Sequence, residues 1–126
     1  MVKKEIKALM IEPGKRPVVT VLNDDLDSLQ KAVSIGADYQ GLIEIIGIGG
    51  GDCILCNEEG KLIGLEGNRR VGSDIIAGVF YIMSEGEDGE LVSLTEEKIQ
   101  HYTQRFWEPE VFGSAEIEPA VHVWFF

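Results

Sequence analysis

The chain has 126 residues, a formal net charge of −11 and only two cysteines. That length suits one domain, which buries roughly two-thirds of its unfolded surface without covalent staples. The charge argues against direct nucleic-acid binding, which depends on basic patches facing phosphates. No apolar run approaches the roughly 20 residues of a membrane span.

Met1 to Lys7 carry three lysines, but no apolar stretch long enough for a signal peptide follows, so a cytosolic location is expected. Ile6–Glu12 alternates apolar and polar positions as a strand does, Pro13-Gly14 turns the chain, and the β-branched run Pro17–Leu22 completes a hairpin. Asn23, Asp24 and Asp25 offer capping oxygens for a helix whose apolar face is Leu26, Leu29 and Val33 and which ends near Gly36. Gly41–Ile48 reads as a mostly buried strand, broken by Gly49-Gly50-Gly51. Cys53–Cys56 and Lys61–Leu65 then read as strands flanking a turn at Asn57–Gly60. Glu66–Asp74 is a polar loop in this reading, Ile75–Ser84 one long apolar strand, and Glu90–Ser93 pairs back after a turn at Gly86–Gly89. Ser93 or Thr95 caps a second helix, with Glu96 and Glu97 in its first turn and Ile99, Tyr102 and Phe106 as its stripe. Pro109 prevents its continuation, and the tail Val121–Phe126 has high strand propensity. The expected fold is α+β: a mixed or mostly antiparallel sheet of five to seven strands with two helices packed on it.

Cys53 and Cys56 could be half a zinc site or a redox pair, but a structural zinc needs four ligands, and His101 and His122 lie far along the chain. Three apart on a strand, the two thiols face opposite sides, and both are expected to be small buried residues kept reduced. Gly47–Gly51 resembles phosphate-cradling glycine loops, yet such a loop opens a helix and here a strand follows. No motif of a hydrolase, metalloprotease or calcium loop occurs, so no catalytic residue, metal or cofactor is expected. His101 falls beside the stripe of the second helix and His122 between valines, neither placed as a base.

Two segments stand out by charge. Gly67–Asp74 holds adjacent arginines between glycines in an acidic chain. Arginine's planar fork suits phosphate or carboxylate, so Asn68, Arg69, Arg70 and Ser73 are candidate ligands for a small anion; a surface loop with internally paired arginines is the plain alternative. Residues 85–126 carry 10 acids against Lys98 and Arg105, whereas residues 1–84 hold 12 acids and 9 bases. Glu85, Glu87, Asp88 and Glu90 thus form a candidate face for a basic protein, with solubility as the plain alternative. Trp124 and Phe126, in an aromatic C-terminus, are expected to dock on the same domain or at a homodimer interface.

The stretch Cys56-Asn57-Glu58-Glu59-Gly60-Lys61-Leu62-Ile63-Gly64-Leu65, preceded by Ile6–Gly14 and Leu42-Ile43-Glu44 and followed by Asn68-Arg69-Arg70 and Asp74–Gly78, resembles the family catalogued as domain of unknown function 3846. The resemblance spans residues 5 to about 106 and divides the chain into an α+β domain, 1–106, and a C-terminal extension, 107–126. It implies no activity. It does imply a setting in phages, plasmids and other mobile elements, whose small accessory proteins commonly interfere with host systems. The leading expectation is a non-enzymatic counter-defence protein that sequesters a small anionic, nucleotide-type signal. The alternative is an acidic inhibitor that meets the basic groove of a host nucleic-acid enzyme.

Overall fold

The computed structural model describes residues 4–113 and Glu116. The elements run β1 (Glu5–Ile11), β2 (Val18–Asn23), α1 (Leu26–Val33), β3 (Ile43–Gly49), β4 (Asp52–Asn57), β5 (Gly67–Val71), β6 (Asp74–Ala77), β7 (Phe80–Glu85), β8 (Leu91–Val92) and α2 (Glu96–Arg105). The main sheet is six-stranded, in the order β2-β1-β7-β4-β3 with β8 added against β7, and its pairings are antiparallel. β5 and β6 form a separate two-stranded hairpin. The fold is therefore α+β, as the sequence pattern indicates.

Strand alternation sorts the core into two layers. Ile6 and Ala8 of β1, Cys53 and Leu55 of β4, and Tyr81 and Met83 of β7 point to one face, where Leu29 and Val33 of α1 cover them. Leu9 and Ile11, Ile54 and Cys56, and Phe80 and Ile82 point to the other, under Ile99, Tyr102 and Phe106 of α2 and Ile76 of β6. The two cysteines thus face opposite layers, both free and buried. Each fully buried aliphatic or aromatic side chain contributes about 1.5–3 kcal/mol, and Phe80 meets Phe106 edge-on, with ring centroids 5.6 Å apart. Capping follows the sequence: Asp25 accepts from the Ser28 amide at the start of α1, and Thr95 from the Lys98 amide at the start of α2. Leu26, expected on the apolar face of α1, is instead exposed.

Four local expectations need correction. β3, expected to be mostly buried, is an edge strand with Glu44, Ile45 and Gly47 exposed and Ile43, Ile46 and Ile48 half-buried. Lys61–Leu65 is not a strand. It is a set of tight turns, in which the Ile63 amide donates to Glu59 and the Leu65 amide to Gly60. Gly60 lies so close to β6 that a Cβ there would sit 2.6 Å from the Ala77 carbonyl oxygen. Glu66–Asp74 is not a loop, because it contains β5 and the turn into β6. Ile75–Ser84 is two strands rather than one. Gly78, at φ +85°, turns the chain between them, and a Cβ there would meet Leu65 Cδ1 at 2.7 Å. No helix among the described residues is long and apolar enough to cross a membrane.

Candidate functional site

The segment singled out as an anion loop folds in an unexpected way. β5 pairs with β6 through an irregular register: Gly67 faces Ala77 and Arg69 faces Ile76, so Asn68 is an extra residue on its strand. Such a bulge interrupts the inside–outside alternation. Consecutive side chains, Asn68 and Arg69, both enter the interior and have no exposed surface.

Inside, both are fully engaged. Asn68 Nδ2 donates to the Ile11 carbonyl at 2.8 Å and the Gly78 carbonyl at 2.9 Å. Its Oδ1 accepts from Arg69 Nη1 at 2.8 Å. Arg69 Nε and Nη2 donate to the Phe106 carbonyl at 3.2 and 2.9 Å, and Nη2 also reaches the Lys15 carbonyl at 2.6 Å. One guanidinium therefore ties the β1–β2 turn and β5 to the C-terminal end of α2, where the helix dipole favours a cation. Burial lowers the pKa of Arg69, and the nearby Glu110 carboxylate partly opposes this.

This corrects the sequence reading, since Asn68 and Arg69 present nothing to a ligand. Arg70, the next residue, points outward. Its amide donates to Glu110 Oε2 at 3.0 Å, its guanidinium lies 3.5 Å from Glu116 Oε2, and the same group sits over the Phe112 ring at 5.6 Å. Ser73 is exposed in the turn between β5 and β6. The four candidates do not converge.

The acidic segment keeps its expected exposure. Glu85, Glu87, Asp88 and Glu90 are all exposed on the β7–β8 hairpin. The hairpin is closed by the Gly86 amide donating to the Glu90 carbonyl at 2.8 Å and by the Asp88 amide donating to Glu90 Oε2 at 3.1 Å. Among the described residues none of the four carboxylates forms an ion pair, while the lysines of that end have partners: Lys4 with Asp24, Lys7 with Glu96 and Lys98 with Asp52. Trp124 and Phe126 lie outside the described residues, as does His122. His101 is exposed on α2, with its ring edge-on to Tyr102.

The sequence reading missed a second buried polar cluster. Asp52, at the start of β4, accepts from Lys98 Nζ and Ser84 Oγ, each at 2.7 Å, and from the Tyr102 hydroxyl at 2.6 Å. Burial raises the Asp52 pKa, but the three hydrogen bonds outweigh it and leave the carboxyl below its ordinary value. Tyr102 is pushed up to about 12 by burial and by that carboxylate. The available signal was the i, i+4 pair Lys98 and Tyr102 on one helix face, over a strand position in phase with Ile54 and Cys56. A cleft of about 220 Å³ lies beside β6, walled in part by Glu44, Cys56, Lys61 and Asp74. Burial and the charges of Glu44 and Asp74 push its Cys56 thiol up to about 12, so it is no nucleophile at neutral pH.

The model of the family described as domain of unknown function (DUF3846) matches residues 6–107, and the chain belongs to that family. No curated protein and no solved structure matches the chain. The match ends beside Phe106, so Glu110, Phe112 and Glu116, the residues that meet Arg70, lie beyond it.

Proposed function

We infer that this DUF3846 member is a non-catalytic binding domain of a mobile element, which presents its acidic end to a basic groove of a host protein that handles nucleic acid. The observation that carries this reading is the β7–β8 hairpin: four exposed carboxylates on one braced turn, next to lysines already neutralised by internal partners. Such a surface has unspent negative field, which steers association with a basic partner and sets its orientation. The mobile-element setting follows from the family resemblance. The nucleotide-sequestering alternative stands lower, because two of its four candidate ligands, Asn68 and Arg69, belong to the interior.

The test is capture of host-lysate proteins on the immobilised chain, beside a variant carrying Glu85→Gln, Glu87→Gln, Asp88→Asn and Glu90→Gln. Basic nucleic-acid-handling proteins are expected on the parent, to elute between 0.15 and 1 M salt as the screening length falls from about 8 to 3 Å, and to be absent from the variant. Capture that ignores both salt and the four substitutions would overturn the reading.

A further inference from the structure

The surroundings of Arg70 have the form of an anion site whose occupant belongs to the chain itself. Arg70 offers two donors on one side of β5, its backbone amide and its guanidinium. Glu110 takes the first at 3.0 Å and Glu116 the second at 3.5 Å. The preceding residue, Arg69, is buried, and among the described residues the hydrogen-bond partners of its guanidinium are carbonyl and amide oxygens rather than a carboxylate. A buried cation held only by neutral acceptors keeps an outward positive field, and in low-dielectric surroundings that field is weakly screened. Glu110 is the carboxylate that feels it, because its charge acts on Arg69 without touching it. The segment that carries Glu110, Pro109 to Phe112, walls one side of an open groove of about 500 Å³ whose other wall is Gly14, Glu66 and Gly67.

Two further facts separate occupant from site. Arg69 and Arg70 fall within the stretch matched by the family, whereas Glu110 and Glu116 fall beyond it. Moreover, the contacts that the described residues Glu110, Phe112 and Glu116 make with Arg70 are modest: one amide hydrogen bond, one long ion pair between half-exposed groups and a cation–π contact at 5.6 Å. Exposed pairs of this kind are worth about 1 kcal/mol or less each. Those contacts with Arg70 are thus weak enough for a competing anion to replace.

We propose that the Arg70 amide and guanidinium, backed by buried Arg69, form a phosphate-binding site that Glu110 and Glu116 of the C-terminal extension cover and mimic. Phosphate fits better than a single carboxylate because the present occupants bring two negative charges to one arginine, as a phosphate dianion does. Its oxygens can also satisfy the amide and the guanidinium fork together. The extension then acts as a competitor in cis, so the full chain takes phosphate weakly and a chain with the two acids neutralised takes it well. This site lies at the opposite end of β7 from the acidic hairpin and does not depend on the function inferred for that hairpin.

The test follows the Arg70 amide resonance during titration with inorganic phosphate at constant ionic strength, with sodium chloride as control. The full-length parent is compared with full-length Glu110→Gln/Glu116→Gln. The double variant is expected to show a saturable Arg70 shift at a phosphate concentration at least tenfold lower than the parent needs. Adding Arg70→Ala is expected to abolish binding, read from the neighbouring Val71 amide. Equal responses in parent and variant, no response in the variant, the same response to chloride, or a Val71 response that survives Arg70→Ala would each overturn the proposal. Should the double variant fail to fold, Glu116→Gln alone frees the guanidinium while Glu110 stays on the amide. The Arg70 Nε resonance then carries the same comparison, with an expected gain of at least threefold and refutation by no gain.

Discussion

Substituting Arg69 by methionine decides whether this residue is an anion ligand or part of the core. Methionine keeps much of the apolar stem and removes every donor. Four oxygens then lose an Arg69 donor: the Phe106 carbonyl, the Lys15 carbonyl, Asn68 Oδ1 and, through a longer contact at 3.4 Å, the Asn68 carbonyl. An orphaned buried acceptor costs about 1–3 kcal/mol, which puts the gross loss for the three short hydrogen bonds at roughly 3–9 kcal/mol. Removing a desolvated charge returns part of this, so the net destabilisation is expected at about 3 kcal/mol. That is a large fraction of the 5–15 kcal/mol available to a domain of this kind. It corresponds to a melting point lower by roughly 10 °C or more.

The assay is urea unfolding followed by circular dichroism, with Arg70→Ala as the internal comparison. Arg70 is half-exposed, and its pairing with Glu116 is a long one, so its removal should cost under about 1 kcal/mol. An unchanged slope of free energy against urea would assign the difference to the native state. If Arg69→Met unfolded within 1 kcal/mol of the parent, or no earlier than Arg70→Ala, the guanidinium would not be holding three segments together. The surface-ligand reading of Asn68 and Arg69 would then regain its basis.

Three further outcomes follow from the same contacts. Asp52→Asn should cost about 2 kcal/mol at neutral pH, a figure reduced because Lys98 is partly exposed. Since the folded carboxyl titrates below its unfolded value, the contribution of Asp52 is full above about pH 5 and is lost as pH falls through the folded pKa. Acid unfolding curves of parent and variant should therefore draw together as pH falls below about 4 and meet only below the folded pKa, and a gap constant down to pH 2 would contradict the assignment. Cys53 and Cys56, both pushed up to about 12, should be inert to a thiol reagent in native buffer and react fully in urea; rapid native labelling of either would refute their burial. Gly78→Ala should destabilise by about 2 kcal/mol or more, measured by thermal unfolding, because it places a Cβ at positive φ and against Leu65; a neutral result would refute the turn geometry.

The parts of the fold legible in the sequence are those where apolar residues keep one period. The stripe Ile99, Tyr102, Phe106 and the hairpin of β1 with β2 are of this kind, because each side chain's direction is fixed by regular backbone. Legibility fails where the backbone departs from the period. The run from Ile75 to Ser84 is apolar throughout because both β6 and β7 are buried, and composition alone does not reveal the turn that Gly78 makes between them. Asn68, Arg69 and Arg70 fail for the complementary reason. Polar residues in sequence are assumed to face water, yet a bulge turned two of three inward, where the backbone around Gly78 and Phe106 needed donors. The candidate surface of exposed acids was legible because a glycine-rich hairpin leaves its side chains nowhere else to go.

The two charged regions also follow from the direction of α2. Its N-terminus lies at the end of the sheet where Asp52 meets Lys98, and Glu96 and Glu97 sit in its first turn. Its C-terminus lies at the other end, where Arg69 holds the Phe106 carbonyl and Arg105 occupies the last turn. Acids at the start and cations at the finish are the arrangement the helix dipole rewards, so a structural need already sorts part of the charge along the long axis of the sheet. The β7–β8 hairpin goes beyond that need: its carboxylates cap no helix and pair with no described cation, and beyond the hold of Glu90 on the Asp88 amide the fold gains nothing evident from having four of them together. The same comparison separates Arg69, which the helix end requires, from Arg70, which it does not. Charge that the fold can dispense with is where function is to be sought, and neutralising the hairpin or freeing Arg70 should leave stability within about 1 kcal/mol of the parent while changing what the protein binds.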